Sequence, residues 1–130
     1  MAHAVFTEEA KADVRELVAE DEDIAREGLE IAKQLENDPY RGEPLREKSN
    51  LKPLAQAECR KIKFDHPNRT ASAKPRYRHR LVYRIEPHEG SPETIVIMAV
   101  GIKPRVYRDA TVAAARRLRE QARTRRRTLD

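Results

Sequence analysis

Lys61 and Lys63 stand two positions apart in the run Cys59–Phe64 (CRKIKF), and Arg78 and Arg80 do so in the run Tyr77–Ile85 (YRHRLVYRI). In extended chain, residues two apart share a face, so each run presents a pair of cations on one side. Gathered cations stabilise a phosphate that gains negative charge, and crowding lowers the pKa of a lysine until it can accept a proton. Those are two of the three services that RNA cleavage without a metal requires when the 2′-OH attacks the neighbouring phosphate, the third being delivery of a proton. The same pattern also describes the wet side of a sheet or the guard on an edge strand.

The elements that must position these cations are legible from periodicity. Residues 3–6 (HAVF) suit a short strand, and Thr7 followed by Glu8 and Glu9 is a helix start with acids in the first turn. A helix over about 8–20 carries Val14, Leu17 and Val18 on one side. A second over about 22–36 presents Ile24, Leu29, Ile31, Ala32 and Leu35, and Asn37-Asp38-Pro39 stops it. From Tyr40 to Glu58 no period is sustained, and Gly42, Pro44 and Pro53 punctuate a connection. The two cationic runs follow as strands, with Ile62, Phe64, Leu81, Tyr83 and Ile85 opposite Lys61, Lys63, Arg78 and Arg80. Thr94–Gly101 (TIVIMAVG) reads as a central strand, and Val106–Arg127 as a helix ending in arginines.

At 130 residues the chain fits one domain that buries about two thirds of its unfolded surface. Charge is uneven: residues 1–50 carry a net −7 and residues 51–130 a net +12. The asymmetry predicts a polyanionic partner for the second half. Lone Cys59 excludes an internal disulfide or a cysteine zinc site, and His3, His66, His79 and His88 lack ligand spacing, so neither metal nor cofactor is expected. The longest apolar run, Ile95–Val100, is too short to span a bilayer, and no signal-peptide pattern opens the chain. A cytoplasmic protein with no membrane association is predicted.

CRKIKF, YRHRLVYRI, VIMAVG and VYRDA, in this order and spacing, resemble the RelE/ParE superfamily of bacterial toxins from type II toxin-antitoxin modules. The helical hairpin ending at LENDPYRGEPL resembles it too. The resemblance implies an α+β fold: an open antiparallel sheet with two N-terminal helices packed on one face and a C-terminal helix. It implies a toxin domain over residues 1–118, followed by a basic tail over 119–130. It also implies a cognate antitoxin and one of two activities. RelE-like members enter the ribosome and cut mRNA, whereas ParE-like members poison DNA gyrase without nuclease residues.

Carried over by position, Lys61 and Lys63 match the paired lysines of the nucleases and Arg80 their strand arginine. Tyr107 matches their base-stacking tyrosine, and beside Val106 at a helix start it suits a core or staple position equally. Either Lys103 or Arg105 takes the place of the remaining cation. Lys61 or Lys63 is then the proton acceptor, Arg80 the phosphate clamp and Arg105 a stabiliser, with Arg60, Arg76, Arg78 and Lys103 as RNA contacts. The expected function is a ribosome-dependent mRNA endonuclease, with gyrase inhibition as the alternative. The tail from Arg116 to Arg127 holds seven arginines and one glutamate. It reads equally as an RNA contact and as a solvated helix end.

Overall fold

The computed structural model describes residues 2–45, 52–66, 77–87, 90–103 and 105–129, with side chains in the last segment described through Thr124. Its elements are β1 (His3–Phe6), α1 (Glu8–Glu20), α2 (Glu22–Leu35), β2 (Glu43–Pro44), α3 (Lys52–Gln56), β3 (Arg60–Phe64), β4 (His79–Glu86), β5 (Thr94–Ile102) and α4 (Arg105–Leu129). The five strands form one sheet in the order β1-β5-β4-β3-β2. Strands β2 to β5 pair antiparallel, but β1 runs parallel to β5, so the sheet is mixed where the sequence suggested antiparallel pairing throughout. The parallel pair arises because the α1–α2 hairpin returns the chain to the far side of the sheet before β3 begins.

Local chemistry sets the helix ends. The Thr7 hydroxyl accepts a hydrogen bond from Ala10 N at 3.1 Å and starts α1. Asp21 ends α1 by donating its backbone N–H to Leu17 O, and its side chain accepts from Ile24 N at 3.3 Å to start α2. One residue therefore makes the turn of the hairpin.

Helices α1 and α2 bury Ala10, Leu17, Ile24, Ile31 and Leu35 against Ile62, Phe64, Leu81, Tyr83 and Ile85. Helix α2 comes close at Gly28, where a Cβ would lie 3.2 Å from Val100 Cγ1 and 3.3 Å from Phe64 Cζ. Val18 and Leu29, expected on the buried stripes, are exposed, and Asp13 lies buried between Ala10 and Leu17.

The opposite face is not open along its length. Helix α4 lays Val106, Tyr107, Ala110, Ala113 and Ala114 over Val82, Val96, Met98 and Ala99, with α3 contributing Leu54. A register shift between Val82 and Tyr83 adds one residue to β5, since Val82 pairs with Ala99 and Tyr83 with Ile97. The bulge turns both Met98 and Ala99 toward α4.

A polar seam joins α1 to α4. Arg116 grips Glu9 through two hydrogen bonds at 3.1 and 2.5 Å, and Arg105 meets Glu16 at 2.8 Å. Part of the charge asymmetry is thus satisfied within the molecule. Between these pairs, Asp13 accepts from Val100 N at 3.0 Å and shares a hydrogen bond with Asp109. Burial first, and then the Asp109 carboxyl, push Asp13 up to about 7, against the pull of Arg105.

A folded-state pKa raised above the unfolded value means the native protein holds a proton that the unfolded chain has released. The site therefore costs nothing below about pH 4, where both states are protonated, and its full cost is reached above about pH 7. Asp13→Asn keeps an acceptor for Val100 and supplies a donor to Asp109. It is expected to stabilise the fold at pH 8 by about 1–3 kcal/mol and to do little at pH 4. Urea unfolding at the two pH values checks this, and the same gain at both would contradict it.

Candidate active site

In the β3–β4 register Lys63 stands opposite Arg80 and Lys61 opposite Val82. Residues paired across a ladder share a face, so Lys61, Lys63 and Arg80 lie on the side that α4 covers, at the end of the sheet ahead of its first turn. Ile62, Phe64 and Leu81 lie on the other side, against α1 and α2. Lys103 follows the end of β5 beside them and donates its backbone N–H to Arg78 O at 3.2 Å.

Lys61 feels all three of its cationic neighbours. Burial, then the charges of Lys63, Arg80 and Lys103, pull its ammonium below the ordinary lysine range, while Glu43 opposes the shift. Glu43 is its ladder partner on β2. Lys63 is exposed. Arg80 is 8% exposed, and its Nη1 donates to Tyr77 O at 2.5 Å and to His79 O at 2.9 Å. Its Nε is buried and has no hydrogen-bond partner among the described residues, so what the guanidinium offers this surface is its fixed charge. Gly101 pairs with Arg80, and Arg105 Nη2 passes 4.0 Å from where a Gly101 side chain would begin. Two lysines and two guanidinium groups thus border one surface with Lys103, an arrangement suited to holding a phosphate and drawing a proton from a hydroxyl beside it.

Other candidates are committed elsewhere. Arg60 donates to Gly42 O through Nε at 3.0 Å and Nη2 at 2.6 Å, and lies over the Tyr40 ring at 5.5 Å. It clamps the turn into β2. Arg78 grips the fully buried Asp65 carboxylate at 3.0 Å, with its backbone N–H adding a bond at 3.1 Å. Burial pushes Asp65 up, but these donors and the His66 N–H outweigh it and hold the carboxyl at about 2. Arg105 is tied to Glu16 as well as bordering the cluster. Tyr107 is 7% exposed and packs in the core beneath α4, so it is not a stacking platform in this conformation. Arg76 lies outside the described residues, as does His88.

His66 pairs with Asp21 at 2.6 Å, and His79 packs on the Phe64 ring with centroids 5.6 Å apart. Burial pushes the Cys59 thiol up to about 12, which removes it as a nucleophile. No group of three or more His, Cys, Asp or Glu among the described residues is placed to hold a metal ion.

A profile of the ParE toxin of type II toxin-antitoxin system, parDE, matches residues 4–107. The chain belongs to the ParE toxin family. Its cation cluster, the last strand and the start of α4 all lie inside the matched span. The fold of this ParE-family toxin is similar to that of a mutant of the E. coli toxin RelE in its free state. The TM-score is 0.54 at 19% identity, covering 90% of this chain and 98% of the other. No curated protein sequence matches it. The family comes with an antitoxin partner, and no described helix is long and apolar enough to cross a membrane.

Glu43, Asp65 and Glu16 were not among the residues the sequence singled out. Each fixes or tunes a cation of the cluster or its border. An acid directly after the apolar Phe64 was the available signal for Asp65.

Proposed function

We propose that this toxin is a ribosome-dependent mRNA endonuclease, acting in the cytoplasm until a cognate antitoxin covers it. The observation that carries this reading is the convergence of Lys61, Lys63, Arg80 and Lys103 on one surface, with the Lys61 ammonium pulled toward neutrality. Lys61 accepts the 2′-OH proton as that oxygen bonds to phosphorus, the charges of Arg80, Lys63 and Lys103 stabilise the phosphorane, and the P–O5′ bond breaks as the leaving 5′ oxygen takes a proton from water. A protein that only binds gyrase has no need of a partly desolvated lysine.

Gyrase inhibition is the second reading. It is favoured by the ParE family profile and by the enclosure of Tyr107 under α4. Timed expression separates the two. Labelled methionine incorporation is expected to fall within minutes while labelled thymidine incorporation continues. Early loss of thymidine incorporation with translation intact would favour gyrase.

A further inference from the structure

Helix α4 divides into a docked part and a projecting part. Its 25 residues span about 37 Å, but among the described side chains the last buried one is Ala114. Arg116 and Arg117 then anchor it, the first on Glu9 and the second on Glu86 at 3.2 and 2.7 Å. Past this anchor Leu118, Arg119, Glu120, Ala122, Arg123 and Thr124 are exposed. About 18 Å of helix, residues 118–129, therefore follows the last ion pair that the described residues make to the sheet or to α1.

The arginines divide in the same way. Arg116 and Arg117 have carboxylate partners, whereas Arg119 and Arg123 form no ion pair with the described residues. Glu120 is already paired with Arg116, and the sequence holds no further acid before Asp130. Arg119 and Arg123 are one turn apart on the same face, where like charges repel. Arg125, Arg126 and Arg127 follow in the next turns. A helix C-terminus is satisfied by a cation or two in its last turn, so this concentration exceeds what the dipole requires.

We propose that the projecting end of α4 is a second nucleic-acid contact that docks on the phosphates of helical ribosomal RNA. The choice of ribosomal RNA rests on the proposed ribosomal target, but the surface is separate from the Lys61 cluster. Composition disfavours other occupants. Between 115 and 128 Leu118 is the only large apolar residue, too little for a partner-helix seam or for insertion into a lipid surface. Two guanidinium groups with no ion pair to the described residues, followed in sequence by three more arginines, suit phosphates, which need charge and no apolar face.

The test uses the full-length toxin, Arg119→Gln/Arg123→Gln, Arg119→Glu/Arg123→Glu and Lys61→Ala/Lys63→Ala, with a labelled RNA duplex, its DNA counterpart and vesicles containing anionic phospholipid. The Gln pair preserves helix propensity, and circular dichroism checks the fold. It is expected to weaken RNA-duplex binding about tenfold at moderate salt and to reduce the salt slope by about 2, with charge reversal weaker still. The lysine variant is expected to keep most duplex binding while losing cleavage, which distinguishes failure of this contact from failure of the nuclease reading. On ribosomes the Gln pair should raise the half-saturating ribosome concentration and leave the maximal rate unchanged. Unchanged affinity and slope in the Gln pair would overturn the proposal. Tighter binding to the DNA duplex or to the vesicles than to RNA, at matched salt, would also overturn it.

Discussion

Lys61→Ala/Lys63→Ala is expected to cleave translated mRNA at least about 100-fold more slowly than the wild-type toxin while keeping its fold. Lys63 is exposed and Lys61 is partly so, and neither forms an ion pair among the described residues. Their removal should therefore change stability by no more than about 1 kcal/mol. Arg80 is a poorer probe. Its Nη1 serves the carbonyls of Tyr77 and His79, so Arg80→Ala loses structural bonds together with any phosphate contact. Single-turnover cleavage in a reconstituted translation system, beside urea unfolding, reads both quantities. Cleavage within twofold of wild type would remove the lysines from the mechanism.

The second large effect is on the fold beneath Lys61. Gly42→Ala would place a Cβ 2.7 Å from both Tyr83 Cε1 and its hydroxyl oxygen, and 2.8 Å from Lys61 O. Two of these obstacles belong to a fully buried ring and the third to backbone, so none can swing aside. The Tyr83 hydroxyl accepts from Gly42 N at 2.9 Å and donates to Pro39 O at 2.6 Å, so displacing the ring also endangers two hydrogen bonds. A loss of about 3–5 kcal/mol is expected, combining overpacking with the lost bonds. Tyr83→Phe, which removes the bonds and leaves the packing, should cost about 2 kcal/mol. Urea midpoints check the pair. A Gly42→Ala protein within 1 kcal/mol of wild type would mean that the turn at Gly42 relaxes freely.

The strands and helices were legible because period and capping agree in them. Alternation placed Ile62, Phe64 and Leu81 opposite Lys61, Lys63 and Arg80, and Thr7 and Asp38-Pro39 bracketed the helical hairpin. What alternation cannot show is which face a distant helix will cover. Tyr107 was read equally as a stacking residue, from the family pattern, and as a core residue at a helix start; the alanines one and two turns along α4 bring that helix flat onto the sheet and enclose the ring. Arg60 and Arg78 were read as RNA contacts because strand position reveals a cation's face but not its partner. Gly42 O and Asp65 supply those partners, and both come from turns with no period of their own. Asp13 left a visible trace, an acid on the stripe Ala10–Asp13–Leu17, though its partner Asp109 lies too far along the chain to be paired by spacing.

Mapping of mRNA 5′ ends, with purified toxin added to a defined translation reaction and to the same mRNA without ribosomes, tests the central claim most directly. New ends confined to ribosome-occupied codons, appearing with wild-type toxin and absent with Lys61→Ala/Lys63→Ala, are the predicted result. Unchanged 5′ ends in the translation reaction, together with block of DNA supercoiling by purified gyrase at the same toxin concentration, would contradict it.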